Sequence, residues 1–228
     1  LNRPAALNTL DFAMVDALVP AADALARDNA IRVVVLAGAG KHFMAGGDVR
    51  TFHGTLSHPA SERHALLENV VDRIHYAIET FHRLDVPIVA RVQGAVAGFG
   101  LSMVCACDLA IAADDAYFAA AYRQIGLSPD GGMSWSLPRL VGARRAAEIL
   151  LLSERFDAQA ALAMGLVNRV VPVTDLDAAV DKVVASIVAG PRGALKRTKR
   201  LLRQSPTSTL ADQLRAEAVS FASCATTD

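Results

Sequence analysis

Two glycine-bearing stretches decide the fold of this chain: Phe43-Met44-Ala45-Gly46-Gly47-Asp48 and Gly94-Ala95-Val96-Ala97-Gly98-Phe99-Gly100. Each follows an apolar run rich in β-branched residues, residues 31–37 before the first stretch and residues 87–92 before the second. Such runs predict buried strands, so both glycine turns lie where a strand ends. Glycine lets a ligand come close to the backbone N–H groups of such a turn.

Strand and helix signals alternate over the first part of the chain, which predicts an α/β core. We expect a helix over residues 10–28, with Asn8 or Thr9 as its N-cap, and another over residues 61–84. Beyond Gly142 the pattern is mainly helical. The sequence therefore divides into a core, residues 1–142, and a helical C-terminal region, residues 143–228, which together form one functional unit.

The amino-acid composition is that of a globular protein with balanced charge. Of the 228 residues, 53% are hydrophobic, so the chain can bury a sizeable core. The 23 basic and 23 acidic residues balance, so we expect no general attraction to nucleic acid or to a membrane surface. A local basic cluster on a late helix is predicted to be a solvated face: Arg192, Lys196, Arg197, Lys199, Arg200 and Arg203.

The three cysteines predict neither a disulfide framework nor a metal site. No uninterrupted apolar stretch of the sequence is long enough to span a bilayer. We therefore expect a cytoplasmic protein with reduced thiols, no metal ion and no membrane partner.

The ordered motifs resemble the crotonase superfamily, the enoyl-CoA hydratase/isomerase group. Besides the two turns, the resemblance covers Leu1-Asn2-Arg3-Pro4 with Asn8, residues 107–113, residues 125–132, residues 137–142 and residues 160–171 with Gly165-Leu166-Val167. It implies a spiral of ββα units followed by a C-terminal helical trimerisation region, assembled as a homotrimer or a hexamer. It also implies an acyl-CoA thioester as the bound molecule, with coenzyme A entering as part of the substrate and no separate cofactor.

The resemblance assigns an oxyanion hole to the two turns, with the backbone N–H groups of Ala45 and Phe99 as its donors. Two preorganised donors on a thioester oxygen stabilise the enolate, each by roughly 3 kcal/mol. Residues 51–62 are expected to form a wall of the acyl pocket. Ala5 stands where many relatives carry a lysine near coenzyme A, and Asp48 is expected to fix the first turn through backbone hydrogen bonds. The positions predicted to contact substrate are Ala5, Leu7, Gly46, Gly47, Asp48, Val49, Gly98, Ser102 and Tyr122.

Both glutamates of the hydratase members are missing: Ser102 and Tyr122 stand at the matching positions. The carboxylate that remains nearby is Asp130. Taken by itself, it is also a favoured helix N-cap, but several isomerase-type members carry an acidic base at its position. One carboxylate suffices for a double-bond shift, because the same base can remove a proton at one carbon and return it at another. The sequence therefore favours an enoyl-CoA isomerase with Asp130 as the catalytic base.

Three alternatives stay open. A hydratase would use Asp130 to activate water, and a non-catalytic acyl-CoA-binding protein would have lost its catalytic carboxylates. An aryl-CoA dehalogenase would use Asp130 as nucleophile and His75 in hydrolysis, and the spacing of these two residues agrees with that branch. The aromatic residues expected just before the histidine are absent, since Arg73 and Ile74 stand there. His75 is therefore interpreted as a surface or packing residue.

Overall fold

The computed structural model describes residues 1–226. The strands are β1 (Val34–Ala37), β2 (Ile88–Val92), β3 (Ala95–Ala97), β4 (Leu109–Ala113), β5 (Tyr117–Ala119), β6 (Phe156–Asp157) and β7 (Arg169–Val171). The helices are α1 (Phe12–Arg27), α2 (Val49–Gly54), α3 (Ala60–Arg83), α4 (Phe99–Cys105), α5 (Met133–Val141), α6 (Ala143–Leu152), α7 (Ala158–Ala163), α8 (Leu176–Ala189), α9 (Arg192–Gln204) and α10 (Leu210–Ala225).

Two sheets organise the molecule. The first has the strand order β1-β2-β4-β7, with every pair parallel. The second has the order β3-β5-β6, with β3 parallel and β6 antiparallel to β5. Consecutive strands β2 and β3, like β4 and β5, divide between the two sheets, and a helix follows each pair. This repetition is the predicted spiral of ββα units, and the α/β fold class is confirmed.

The two central strands of the first sheet, β2 and β4, are covered on both faces, which explains why every residue of them except Arg91 is apolar. On β2, Val89 and Ala90 point to opposite faces and both are fully buried. One face packs into the main core, and the other packs with Val89 against Leu176 and Val180 of α8. On the main-core side, α3 packs against α1. Its buried residues recur every three or four positions, as an amphipathic helix requires: Val70, Ile74, Ala77 and Phe81.

Helix α1 starts later than the sequence predicts. Its N-cap is Asp11, whose side chain accepts a hydrogen bond from the N–H of Met14 at 2.8 Å. The predicted caps Asn8 and Thr9 are wrong, because the chain makes a further turn between them and the helix.

Asn8 holds the first glycine turn in place. Its side chain is fully buried, and its amide nitrogen donates to the carbonyls of Ala39, His42 and Phe43 at 2.9, 2.8 and 3.1 Å. Its amide oxygen accepts from the N–H of Arg3 at 2.8 Å. One side chain therefore ties the N-terminal segment to the loop that leads into the turn.

The region beyond Gly142 is mainly helical, as predicted, but it also supplies β6 and β7 to the two sheets. These strands have two and three residues, too few for an alternating pattern to show in the sequence. Residues Ala146, Ile149, Ala161 and Leu166 pack into the main core. The sheets therefore extend past residue 142.

The basic cluster on α9 is not the solvated face that the sequence predicts. Lys199 is buried, and its ammonium group lies 2.6 Å from a carboxylate oxygen of Asp108. Lys196 lies 2.9 Å from Asp85, which also accepts from Nε of Arg200 at 2.6 Å. Three of the six basic side chains therefore dock α9 on the core through ion pairs.

The outermost helix, α10, contacts α9 and leaves large apolar side chains exposed. Leu210, Leu214, Val219 and Phe221 are each more than half exposed, with Phe221 at 78%. Within residues 1–226, no helix has the combination of length and apolar content needed to cross a bilayer.

We predict that Asp85→Asn weakens the docking of α9. Arg200 and Lys196 hold the pKa of Asp85 down to about 2. Because this folded pKa lies below the usual value near 3.9, the ion pairs stabilise the fold above about pH 4 and lose this effect as the pH falls toward 2. Urea unfolding should show a loss of about 1 kcal/mol at pH 7.

The difference between the two proteins should shrink as the pH is lowered toward 2. Asp177→Asn serves as the control, because Asp177 pairs with Arg91 but is itself largely exposed. Equal free energies of unfolding for wild type and Asp85→Asn at pH 7 would show that these ion pairs do not stabilise the fold.

Candidate active site

A cavity of about 810 Å³ opens beside the two glycine turns. Its wall is largely apolar and comes mainly from α3 and from the α2 segment: Phe52, Leu56, Leu67, Val70, Val71 and Ile74. Of the wall predicted for residues 51–62, the first part lines the cavity and residues 57–62 do not; the lining residues are Thr51, Phe52, His53, Thr55 and Leu56. The cavity is large and apolar enough for an acyl chain.

The two turns meet at Gly46 and Gly98. Both have positive φ angles, +86° and +50°. A methyl group built on Gly46 would lie 3.6 Å from Cα of Gly98, and one built on Gly98 would lie 3.5 Å from Cα of Gly46. An isolated parallel bridge between Met44 and Val96 holds the turns side by side, and both turns line the cavity.

The structure corrects the predicted donor in the first turn. The N–H of Ala45 already donates to the carbonyl of Leu7 at 3.0 Å, so it is not available to a ligand. Gly47 forms a parallel bridge with Leu10, in which the flanking residues 46 and 48 make the hydrogen bonds. The N–H of Gly47 therefore points away from Leu10.

Neither the N–H of Gly47 nor that of Phe99 donates a hydrogen bond within residues 1–226, and both residues line the cavity. Phe99 is the first residue of α4, where a helical N–H has no partner in its own helix. The pair of available donors is therefore Gly47 and Phe99. Phe99 as an oxyanion donor stays a prediction.

Asp130 lies on the cavity wall in a hydrogen-bonded cluster. The hydroxyl of Tyr122 donates to Oδ1 of Asp130 at 2.6 Å. The hydroxyl of Ser102 donates to the backbone carbonyl of Asp130 at 2.9 Å and lies 3.2 Å from the Tyr122 hydroxyl. The two residues at the hydratase glutamate positions therefore hold the remaining carboxylate in place.

Burial raises the pKa of the Asp130 carboxyl, while the hydrogen bond from the Tyr122 hydroxyl acts in the opposite direction. Burial, followed by the charge of Asp130, raises the pKa of Tyr122 above its ordinary value near 10. Tyr122 thus stays protonated and acts as a donor. A carboxylate of raised pKa in a partly dry pocket is a stronger base than an exposed one.

His75 also belongs to this site. It lines the cavity, and its Nε2 accepts a hydrogen bond from the N–H of Gly131 at 3.1 Å. Because an imidazolium has no acceptor nitrogen, this bond requires the neutral ring. The interpretation of His75 as a surface or packing residue is therefore incomplete.

The other predicted residues are divided between the cavity and its surroundings. Gly46, Val49 and Gly98 line the cavity, whereas Ala5 and Leu7 do not. Asp48 lies outside the cavity lining and fixes the first turn as expected. It caps α2 by accepting from the N–H of Arg50 at 3.1 Å, and it pairs with Arg3 at 3.1 Å.

The sequence predicted Gly47 as a substrate contact but not as an N–H donor, and it placed His75 outside the site. One signal in the sequence could have found His75. A stripe of apolar residues with helical spacing marks the face of α3 that lines the cavity: Leu67, Val70, Val71 and Ile74. His75 lies next to this stripe. In the described part of the chain, no group of three or more metal-binding side chains is found that could hold a metal ion.

The whole chain, residues 1–228, matches the family profile described as enoyl-CoA hydratase/isomerase. The 1,2-epoxyphenylacetyl-CoA isomerase of Escherichia coli is 30% identical over 94% of this chain and 80% of its own length. The 4-chlorobenzoyl coenzyme A dehalogenase-2 of an Arthrobacter species is 32% identical over 92% and 75%. The crystal structure of an enoyl-CoA hydratase from Mycobacterium smegmatis is 36% identical and superposes with a TM-score of 0.90 over 100% of this chain and 86% of that one.

These relatives carry three different activities, so they do not decide which reaction occurs at Asp130. They agree on the fold, and the names of all three refer to coenzyme A thioester chemistry. The extent of the matches shows that this chain belongs to the enoyl-CoA hydratase/isomerase family, whose members act on acyl-CoA thioesters.

Proposed function

We propose that this protein is an enoyl-CoA isomerase in which Asp130 moves a proton along the acyl chain. The observation that carries the proposal is the bond from the Tyr122 hydroxyl to Oδ1 of Asp130 at the cavity wall. It occupies one carboxylate oxygen and leaves Oδ2 for the substrate. Asp11, the other carboxylate that lines the cavity in the described residues, is paired with Arg3 at 3.1 Å.

In this mechanism, the thioester carbonyl lies against the N–H groups of Gly47 and Phe99. Oδ2 of Asp130 takes a proton from a carbon next to the double bond, and the electron pair moves toward the thioester oxygen as the enolate forms. The two donors stabilise the negative charge on that oxygen. The protonated Asp130 then returns the proton at the other end of the allylic system, so atoms and charge balance without a metal ion or a redox cofactor.

Hydration is less well supported, because it needs one group to activate water and another to protonate the acyl chain. Tyr122, with its raised pKa, is a donor to Asp130 rather than a second base.

The dehalogenase alternative is favoured by one observation, the position of His75 beside the Asp130 turn. There Asp130 would attack the ring carbon and expel the halide, and water would then hydrolyse the aspartyl ester to release the hydroxylated ring and regenerate the carboxylate. The non-catalytic alternative keeps the acyl-CoA binding and loses the proton transfer.

We predict that Asp130→Asn abolishes proton exchange. Incubation with 2-enoyl-, 3-enoyl- and halogenated aryl-CoA thioesters in deuterated water, followed by mass spectrometry, should show deuterium at the α- or γ-carbon with the wild type. The variant should lose this exchange by about 100- to 10,000-fold, because it lacks the base. Its affinity for acyl-CoA should persist.

Asp177→Asn is the matched control, since it removes a carboxylate outside the cavity. A gain of water by the substrate would identify a hydratase, and release of halide would identify a dehalogenase. Binding by the wild type without any exchange would contradict the isomerase and support the non-catalytic alternative.

We predict that Tyr122→Phe moves the acidic limb of the pH profile of kcat/KM to higher pH. The Tyr122 hydroxyl stabilises the ionised carboxylate, so its removal raises the pKa of Asp130 further and leaves less base at a given pH. We expect kcat near neutral pH to fall about tenfold, in line with the loss of a hydrogen bond to a charged group.

The control is Tyr76→Phe, because the Tyr76 hydroxyl donates to Oδ1 of Asp23 at 2.8 Å outside the cavity. It should leave the pH profile unchanged. An acidic limb that stays in place in Tyr122→Phe would show that Tyr122 does not act on the ionisation of Asp130.

We also propose that the protein self-associates as a homotrimer or a hexamer through its C-terminal helices, which is supported by the exposed apolar side chains of α10. Light scattering should then give roughly three or six times the 24.1 kDa chain mass. The double variant Leu214→Asp with Phe221→Asp should shift the mass toward the single chain, because it places charge in the buried interface. A wild-type monomer at high concentration would contradict this assembly.

A further inference from the structure

Arg63 places a permanent positive charge on the largely apolar wall of the cavity. It is half-buried and lies near the start of α3. It continues, toward the N-terminus, the face of the helix that lines the cavity: Arg63, Leu67, Val70, Val71, Ile74 and His75. A cation thus lies at one end of the cavity-facing stripe of α3, and the other end of the stripe meets the Asp130 turn.

The guanidinium of Arg63 has no hydrogen bond or ion pair within residues 1–226. The residues three and four positions away, where a helical partner would stand, are all apolar: Pro59, Ala60, Leu66 and Leu67. The nearest acidic residues on the helix have other partners, because Glu62 lies 3.7 Å from His58 and Glu68 lies 3.7 Å from His64. No carboxylate of the described residues therefore pairs with Arg63.

The position of Arg63 also gains nothing from the helix. It is the fourth residue of α3, near the end where the helix dipole is positive and a cation is disfavoured. A charge that is neither paired nor favoured by its helix is left to interact with a group from outside the protein.

A negative group bound by Arg63 would lie far from Asp130. Arg63 and His75 both belong to α3, and at 1.5 Å per residue they are ~18 Å apart along the helix axis. His75 accepts from the N–H of Gly131, directly after Asp130. A negative group bound by Arg63 is thus remote from the proposed catalytic carboxylate and avoids its repulsion.

We propose that Arg63 binds a carboxylate at the far end of the acyl group, so that the preferred substrates are coenzyme A thioesters of dicarboxylic acids. This proposal rests on the proposed function, because the reacting end of the acyl chain has to lie at Asp130. The planar guanidinium can pair with both oxygens of a carboxylate. The apolar side chains between Arg63 and Ile74 then contact the methylene chain.

Calorimetric binding tests this proposal with saturated thioesters, which cannot isomerise. The probes are dicarboxylic half-thioesters of graded chain length and methyl-ended acyl-CoA thioesters of the same lengths. Arg63→Met keeps most of the apolar stem and removes the charge, so we expect it to weaken binding of the carboxylate-ended series about tenfold to a hundredfold. The methyl-ended series should change by less than about twofold, because uncharged chain ends do not use the guanidinium.

Arg63→Lys should retain part of the preference for the carboxylate-ended series. Arg144→Met is the matched control, because Arg144 also has no partner in the described chain and lies outside the cavity. It should leave both series unchanged.

Equal weakening of both series by Arg63→Met would overturn the proposal. A second result would also overturn it: Arg63→Met weakens binding of the coenzyme A thioesters but not of pantetheine thioesters, which lack the nucleotide phosphates. Arg63 would then contact the coenzyme and not the acyl group. A wild-type preference for methyl-ended chains would overturn it as well. Failure of the wild type to bind any of these thioesters would instead refute the proposed acyl-CoA function, and the role of Arg63 with it.

Discussion

The site depends on the buried amide of Asn8. A glycine turn has no side chains with which to hold its own shape, and the loop before it exposes several backbone carbonyls to the interior. Buried carbonyls without partners cost about 1 to 3 kcal/mol each. Asn8 satisfies three of them and receives an N–H bond from Arg3 in return. The N-terminal segment therefore determines where the N–H of Gly47 lies, although it does not line the cavity.

The second turn is held by different means. β3 is paired with β5, and the N–H of Gly98 donates to the carbonyl of Ala119 at 3.1 Å. The two proposed donors, Gly47 and Phe99, thus come from separate units of the spiral, and their relative position depends on the contact between Gly46 and Gly98. Asp130 comes from a third unit, just before α5. Ser102 of α4 fastens it to the second unit, and Tyr122 of its own unit holds its carboxylate. This division places the proposed thioester donors and the proposed base on separate units of the spiral.

Local patterns in the sequence were enough to predict the strand ends, both turns and the α/β class, because each depends on residues close together in the chain. The catalytic role of Asp130 rests on the family resemblance and stays a prediction. The features that sequence reasoning missed depend on distant pairs. The N–H of Ala45 donates to the carbonyl of Leu7, whereas Gly47 bridges Leu10 through the hydrogen bonds of its neighbours and keeps its own N–H available. The sequence around the turn does not show this difference. The basic residues of α9 were predicted to form a solvated face because their acidic partners, Asp85 and Asp108, lie 91 or more positions away in the sequence. Periodicity alone cannot identify such contacts.

Helix α3 contributes to the cavity wall and to the main core at once, and this limits which of its residues can change without a loss of stability. Val70 and Ile74 face the cavity but also belong to the main core, so a smaller side chain at either position enlarges the cavity and weakens the packing against α1 together. Leu67 and Val71 line the same cavity and lie outside that core. Substrate range can therefore drift by mutation at Leu67 and Val71 at little cost to folding, whereas a change at Val70 or Ile74 has to be compensated elsewhere.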